Sequence, residues 1–137
     1  MTNSTMIDGS VPITIAGIVA IGFGIVTIVS GGTVLFGGSE ARAAAGHVVD
    51  FVLWFNFVSG FAYVGIGVGL LMRRPWAART ALVLALVIAV VSAAFAAHIW
   101  SGGLYEPRTV AAMTIRAIVW IAIAAIACRA LTCSSPR

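Results

Sequence analysis

Four long apolar segments constrain the fold of this chain more than any other feature. They occupy residues 11–36, 45–72, 75–100 and 107–131 of a 137-residue sequence. A helix of about 25 residues is roughly 37 Å long and can cross a hydrocarbon core of about 30 Å. Backbone polar groups in lipid must be satisfied within their own segment, so each segment is expected to be a helix. The predicted fold is therefore all-α, a single membrane domain of four up-and-down helices.

The composition excludes several classes of protein. Hydrophobic residues make up 61% of the chain and charged residues only 9%, whereas a typical soluble domain has about 25% charged residues. A soluble globular enzyme, a disordered tail and a nucleic-acid-binding module are excluded on this basis. The net charge of +4 comes from arginines that are mostly scattered at the ends of the apolar segments. The predicted partner is the lipid bilayer, with no nucleic acid.

The arginines also predict an orientation. Arg73, Arg74 and Arg79 lie in and beside the connection between the second and third segments, whereas the other side of the membrane has only Arg42 and Arg108. Short loops rich in Lys and Arg stay in the cytoplasm. Because four spans place both termini on the side of that connection, we expect the N- and C-termini to be cytoplasmic.

The sequence leaves two possible ends for the first helix. Its segment is too long and its start too poor in positive charge for a cleaved signal peptide, so it is expected to be a retained span. Gly31 and Gly32 allow it to stop near Ser30 or to continue to Phe36.

Small residues predict where the helices pack closely. In lipid, helices associate through small residues that let backbones approach, and through occasional polar contacts. Such residues are frequent in the first two segments: Ala20, Gly24, Gly60, Gly65, Gly67 and Gly69. They suit either the four-helix fold alone or an additional homo-oligomer or larger membrane complex, and both alternatives stay open.

Several polar residues are expected to gather at one end of the bundle. His47 and Asp50 are three residues apart, so on a helix they share a face with Trp54 one turn deeper. Asp50 and His98 are equally far in sequence from Arg74, in the turn between the second and third segments. Residues equidistant from a helical hairpin turn lie at similar heights, so His98 is expected beside Asp50.

These residues suggest a metal site. The hypothetical ligands are His47, Asp50 and His98, with Glu106 or Glu40 as a fourth or outer ligand. Two imidazoles and a carboxylate suit zinc, copper, manganese or iron, and a haem held by the two histidines is a second option. The leading hypothesis for function is a non-catalytic membrane protein that handles a metal or serves a membrane complex.

An ion pair offers an alternative use for the same residues. Arg116 is the basic residue furthest inside the membrane, and Asp50 is the nearest acid in depth. Because an intramembrane charge needs a partner, these two are expected to pair if Asp50 is not a ligand. The protein would then be a structural or accessory subunit. An oligomeric transporter of ions or small solutes, and a membrane enzyme with a two-histidine, one-carboxylate metal, are further alternatives.

Asn56 is the most polar residue in the middle of the second segment. It shares a helical face with Gly60, Tyr63 and Gly67. The simplest interpretation is a hydrogen bond that holds two helices together. The other is a ligand cavity that Asn56 lines together with Tyr63 and Trp54.

The stretch from His47 to Arg129 resembles a group of small bacterial membrane proteins with four transmembrane helices. The resemblance lies in VLWFNFVSGFAYVGIGVGLLMRRPWAA at residues 52–78 and HIWSGGLYEPRTVAAMTIRAIVW at residues 98–120. The general plan is also similar to that of DoxX-like proteins, in architecture only. The resemblance implies a multi-pass protein of the bacterial inner membrane and brings no activity or residue roles with it.

Overall fold

The structure, a computed structural model, describes residues 4–131, with side chains from Ser10 onward. Within this part of the chain all regular structure is helical, in five helices: α1 (Ser4–Phe36), α2 (Gly38–Ala45), α3 (Asp50–Leu71), α4 (Pro75–Trp100) and α5 (Pro107–Leu131). Four of them are long and apolar enough to cross a membrane. The predicted all-helical class is confirmed.

The first helix continues through both glycines. α1 runs to Phe36, so Gly31 and Gly32 do not end it. The part of α1 that is apolar enough to span a membrane is Ser10–Phe36, close to the predicted segment 11–36. Gly31 has a packing role: a methyl carbon built on it would lie 3.2 Å from Cβ of Phe57 on α3.

The second apolar segment differs from its prediction. Instead of one helix from residue 45, the structure has the short helix α2, a four-residue connection, and α3 starting at Asp50. Gly46 adopts a φ of 81°, a left-handed conformation that ends α2 and that other residues rarely adopt. His47 therefore lies in the connection, and the expected shared helical face of His47 and Asp50 is wrong.

Glycines let α1 and α3 pack closely against each other. A methyl carbon built on Gly24 would lie 2.7 Å from the carbonyl oxygen of Gly60, and one built on Gly67 would lie 2.8 Å from that of Gly17. The early part of α1 thus meets the late part of α3, so the two helices run antiparallel. Further contacts join α4 to α5, α1 to α5 and α3 to α4.

The main core lies among the four long helices. Its largest fully buried side chains are Trp120 and Tyr63, whose ring centroids are 4.6 Å apart. A smaller buried cluster of Val49, Val52, Phe95 and Met113 lies nearer α2.

The outer surface is apolar. Each long helix exposes large aliphatic side chains, and one from each is between 61% and 65% exposed: Val26, Val58, Leu86 and Ile118. Soluble proteins rarely present continuous apolar surface on this scale, because water makes its exposure costly. The chain is that of a multi-pass membrane protein whose helices contact the lipid bilayer.

Candidate functional site

The α2 end of the bundle holds most of the predicted ligand residues, each with its own contact. Asp50, at the first position of α3, forms an ion pair with Arg42 of α2. Both side chains are well exposed, at 70% and 49% respectively. The carboxylate of Asp50 is thus satisfied near the surface by a neighbour close in sequence.

Glu106 links the connection after α2 to the start of α5. Its Oε1 accepts a hydrogen bond of 3.0 Å from the backbone N–H of His47. Its side chain lies against Gly46, where a Cβ atom would collide with it. Arg108 adds a second link, because its Nη2 donates a 3.2 Å hydrogen bond to the carbonyl oxygen of Ala44.

The two histidine side chains have different surroundings. The exposed ring of His47 lies on the connection, whereas the Nε2 atom of His98 lies 3.2 Å from the carbonyl oxygen of Leu104. The His98 ring also contacts Phe51 edge to face, at 6.3 Å between centroids.

These contacts bear on the metal hypothesis. Glu40 is exposed on α2. In the part of the chain that the structure describes, no three His, Cys, Asp or Glu side chains lie together in a group that could hold a metal ion. Binding of zinc, copper, manganese, iron or haem stays a prediction, and the geometry of these residues adds no support to it.

Arg116 has different partners from the one predicted. Its Nη1 donates a 2.6 Å hydrogen bond to Oδ1 of Asn56 on α3 and a 3.2 Å hydrogen bond to Sδ of Met113. The expected ion pair between Asp50 and Arg116 is wrong in this structure, because Asp50 pairs with Arg42. The reason is the break after α2, which leaves Asp50 at the exposed start of α3 while Asn56 lies farther along the helix.

Two aromatic rings lie near the Arg116 guanidinium. Its Cζ lies 5.7 Å from the ring centroid of Phe23 and 6.0 Å from that of Tyr63, within the range of cation–π attraction. Three buried atoms in this region have no hydrogen-bond partner within the described residues: Tyr63 Oη, Trp120 Nε1 and Arg116 Nε. Arg116 itself is only 6% exposed.

A cavity of about 390 Å³ lies beside this arginine. We call it the Arg116 cavity; α1, α3 and α5 line it with Phe23, Val26, Thr27, Ser30, Gly31, Val34, Leu53, Asn56, Ala112, Ile115 and Arg116. Val26 and Ile115, on its α1 and α5 sides, are 65% and 55% exposed. The cavity therefore reaches the lipid-facing surface between α1 and α5.

A smaller cavity continues from it toward the α2 end. This second cavity, of about 120 Å³, shares Val34, Leu53 and Asn56 with the Arg116 cavity and extends to Val48 and Thr109. Asn56 thus lies where the two cavities meet.

The three residues predicted to line a ligand cavity lie in different places. Asn56 lines the Arg116 cavity, Tyr63 packs in the core beside Arg116, and Trp54 is half exposed on the outer face of α3. Sequence reasoning missed Thr27 and Ser30 of α1. Their signal was available, because two hydroxyl residues three positions apart in an apolar helix share a face.

Comparison with known proteins gave no match: no protein-family model, curated protein or solved structure is significantly similar to the chain.

Proposed function

We propose that the chain is a non-catalytic protein of the bacterial inner membrane that binds a lipid-soluble ligand in the Arg116 cavity. The observation that carries the proposal is the burial of Arg116, at 6% exposure, beside a cavity that reaches the lipid-facing surface. Among the described residues no carboxylate contacts it, since the one ion pair joins Arg42 and Asp50.

The proposal includes an orientation. The four long helices would form an up-and-down bundle with both termini in the cytoplasm, in agreement with Arg73, Arg74 and Arg79 at the α3–α4 turn and Arg129 in the last turn of α5. The α2 end would then be extracytoplasmic. Because Arg116 lies about 13 Å along α5 from its start, at 1.5 Å per residue, the cavity would lie in the outer half of the membrane.

The charge of Arg116 favours a ligand over a purely structural role. A charged side chain at the centre of a membrane helix costs about 2.5–3.5 kcal/mol or more. A neutral donor such as glutamine could satisfy Asn56 without that cost. A positive charge at this position therefore suits a site that attracts negatively charged or strongly polar oxygen atoms.

Binding fits the cavity better than catalysis does. Arg116 is the one ionisable side chain among the residues that line it, and the others are apolar, glycine, hydroxyl or amide residues. General acid–base catalysis needs a group that exchanges a proton near neutral pH, and a guanidinium does not. The mostly apolar lining with a few polar groups is typical of small-molecule binding sites.

The test is to identify the compounds that copurify with the protein in detergent. Wild-type protein, Arg116→Gln and the control Arg79→Gln, which changes an exposed arginine near the start of α4, would be purified in one mild detergent. Native mass spectrometry and mass spectrometry of organic extracts would follow. We expect a lipid-soluble compound enriched with wild type and Arg79→Gln and depleted at least tenfold with Arg116→Gln. Equal lipid content in all three proteins would contradict the proposal.

A further inference from the structure

The hydrogen-bond donors of Arg116 are used on one side only. A guanidinium has five N–H donors in a fixed planar arrangement. Within the described residues, both hydrogen bonds of Arg116 are donated by Nη1, and the buried Nε has no partner. Nη2 donates no hydrogen bond within the described residues, so its two N–H groups are left for another acceptor. A charge-assisted hydrogen bond from a guanidinium N–H to a carboxylate oxygen is among the strong hydrogen bonds of proteins.

We propose that the ligand of the Arg116 cavity is a single-chain carboxylate, such as a long-chain fatty acid, held by Nη2 of Arg116. This inference rests on the proposed function and names the class of its ligand. One carboxylate carries one negative charge and neutralises one guanidinium. A phosphate monoester carries about −1.5 to −2 charges at neutral pH, and no second cation lines the cavity to balance the excess.

The polar lining agrees with a small headgroup. Thr27 and Ser30 of α1 bring two hydroxyl groups, and Asn56 brings an amide whose Oδ1 is already occupied by Arg116. A buried polar headgroup must find hydrogen bonds for nearly all its polar atoms. These residues suffice for two carboxylate oxygens, whereas a zwitterionic or sugar headgroup would bring more polar atoms than they can satisfy.

The cavity offers an acyl chain a path into the bilayer. Most of its lining residues are apolar, and Val26 on α1 and Ile115 on α5 lie exposed at its open side. An acyl chain leaving this side would pass directly into the bilayer, so the ligand would not have to cross water to reach the site. A volume of about 390 Å³ is at the small end for ligand sites, which run from roughly 300 to 1,000 Å³, and suits a small headgroup with the first part of its chain.

The test compares headgroups on one chain. Purified wild-type protein in lipid nanodiscs would be titrated with tritiated hexadecanoate, and methyl hexadecanoate, hexadecanol and hexadecyl phosphate would be used as competitors. We expect saturable hexadecanoate binding that unlabelled hexadecanoate displaces at least tenfold more effectively than the ester, the alcohol or the phosphate does. Equal displacement by the ester would overturn the carboxylate inference, and stronger displacement by the phosphate would replace it with a phosphate site.

Variants then test the role of the Arg116 guanidinium. Arg116→Gln should weaken hexadecanoate binding at least tenfold, and Arg79→Gln should leave it unchanged. Arg116→Lys keeps the positive charge, but one ammonium cannot replace both Nη1 at Asn56 and Nη2 at the ligand, so it should also bind more weakly than wild type. Binding by Arg116→Lys at the wild-type level would overturn the contact with Nη2. The headgroup comparison uses wild-type protein alone and therefore stands even if Arg116→Gln does not fold.

The two proposals fail in different ways. If hexadecanoate does not bind but extracts of the purified protein hold another compound that depends on Arg116, the carboxylate inference is wrong and the ligand-binding function stands. If neither the probes nor any extracted compound depends on Arg116, both are wrong.

Discussion

Arg116 on α5 and Asn56 on α3 form a hydrogen bond of 2.6 Å between Nη1 and Oδ1, at the boundary of two adjoining cavities. This contact joins two helices through a charged donor and a neutral acceptor. It lowers the cost of burying the guanidinium without cancelling its charge, and the charge stays available to a ligand.

Changing Asn56 to aspartate should raise the stability of the protein and lower its ligand binding. Asn56→Asp places a carboxylate of nearly the same shape opposite Arg116, so we expect a higher melting temperature in detergent and at least a tenfold loss of ligand. Asn56→Leu removes the acceptor and should lower the free energy of unfolding by about 1–3 kcal/mol. Differential scanning fluorimetry with lipid extraction would measure both effects.

Ser59→Ala is the matched control for these variants. Ser59 lies on the same helix, its hydroxyl donates to the backbone carbonyl of Asn56 at 3.0 Å, and it does not line the Arg116 cavity. It should change ligand content little. An Asn56→Asp protein that keeps its ligand would contradict the proposed use of the Arg116 charge.

The ion pair of Asp50 and Arg42 should contribute little to stability. Both side chains are largely exposed, and exposed pairs contribute about 0–1 kcal/mol. A double-mutant cycle on Asp50→Ala and Arg42→Ala is expected to give a coupling energy below about 1 kcal/mol. The parallel cycle on Asp50→Ala and Arg116→Ala should give additive effects. A larger coupling energy in that second cycle would show that Asp50 and Arg116 interact, as the sequence suggested.

The sequence predicted the apolar helices well because length and hydrophobicity alone decide whether a segment can cross a membrane. It failed at Gly46, where a single residue with positive φ separates α2 from α3 and moves His47 off the helix. The height argument from the α3–α4 turn is unaffected by this break, because α3 starts at Asp50, and the contact of Phe51 with His98 agrees with it. The sequence pattern could not foresee that Arg42 would satisfy Asp50.

The Arg116 cavity was only partly predictable. The isolated position of Arg116 and the polar character of Asn56 were visible in the sequence, and both line the cavity. Which helices would enclose them was not visible, because hydrophobic periodicity is weak when most faces contact lipid. Thr27 and Ser30 therefore entered the site only through the packing of α1.

Glu106 should hold the connection after α2 in place. Glu106→Ala removes the acceptor for the backbone N–H of His47 and should speed hydrogen exchange at that amide, with a loss of stability of about 0.5–1.5 kcal/mol because the bond is exposed. Glu106→Gln keeps an acceptor oxygen and should retain most of the protection. His47→Ala should leave exchange slow, because the donor is a backbone group.

The metal hypothesis has a related test. Protein purified without a histidine tag would be subjected to elemental analysis and absorption spectroscopy beside His47→Ala/His98→Ala. Since the described contacts of these residues are backbone links rather than a shared site, we expect the same metal content in both proteins. Near-stoichiometric metal or haem that the double variant loses would establish the site despite this geometry.

The contact between α1 and α3 should respond oppositely to two neighbouring glycine substitutions. Gly24→Ala would place a methyl carbon 2.7 Å from the carbonyl oxygen of Gly60, and backbone cannot move aside as a flexible side chain can. We expect a loss of about 1–3 kcal/mol from this overpacking. Gly22→Ala meets nothing within 4 Å and should stabilise the helix by up to about 1 kcal/mol, because alanine loses less backbone entropy on folding. Unfolding of both variants in mixed detergent micelles, followed by circular dichroism, would measure the difference, and equal stability would contradict glycine-mediated packing of α1 on α3.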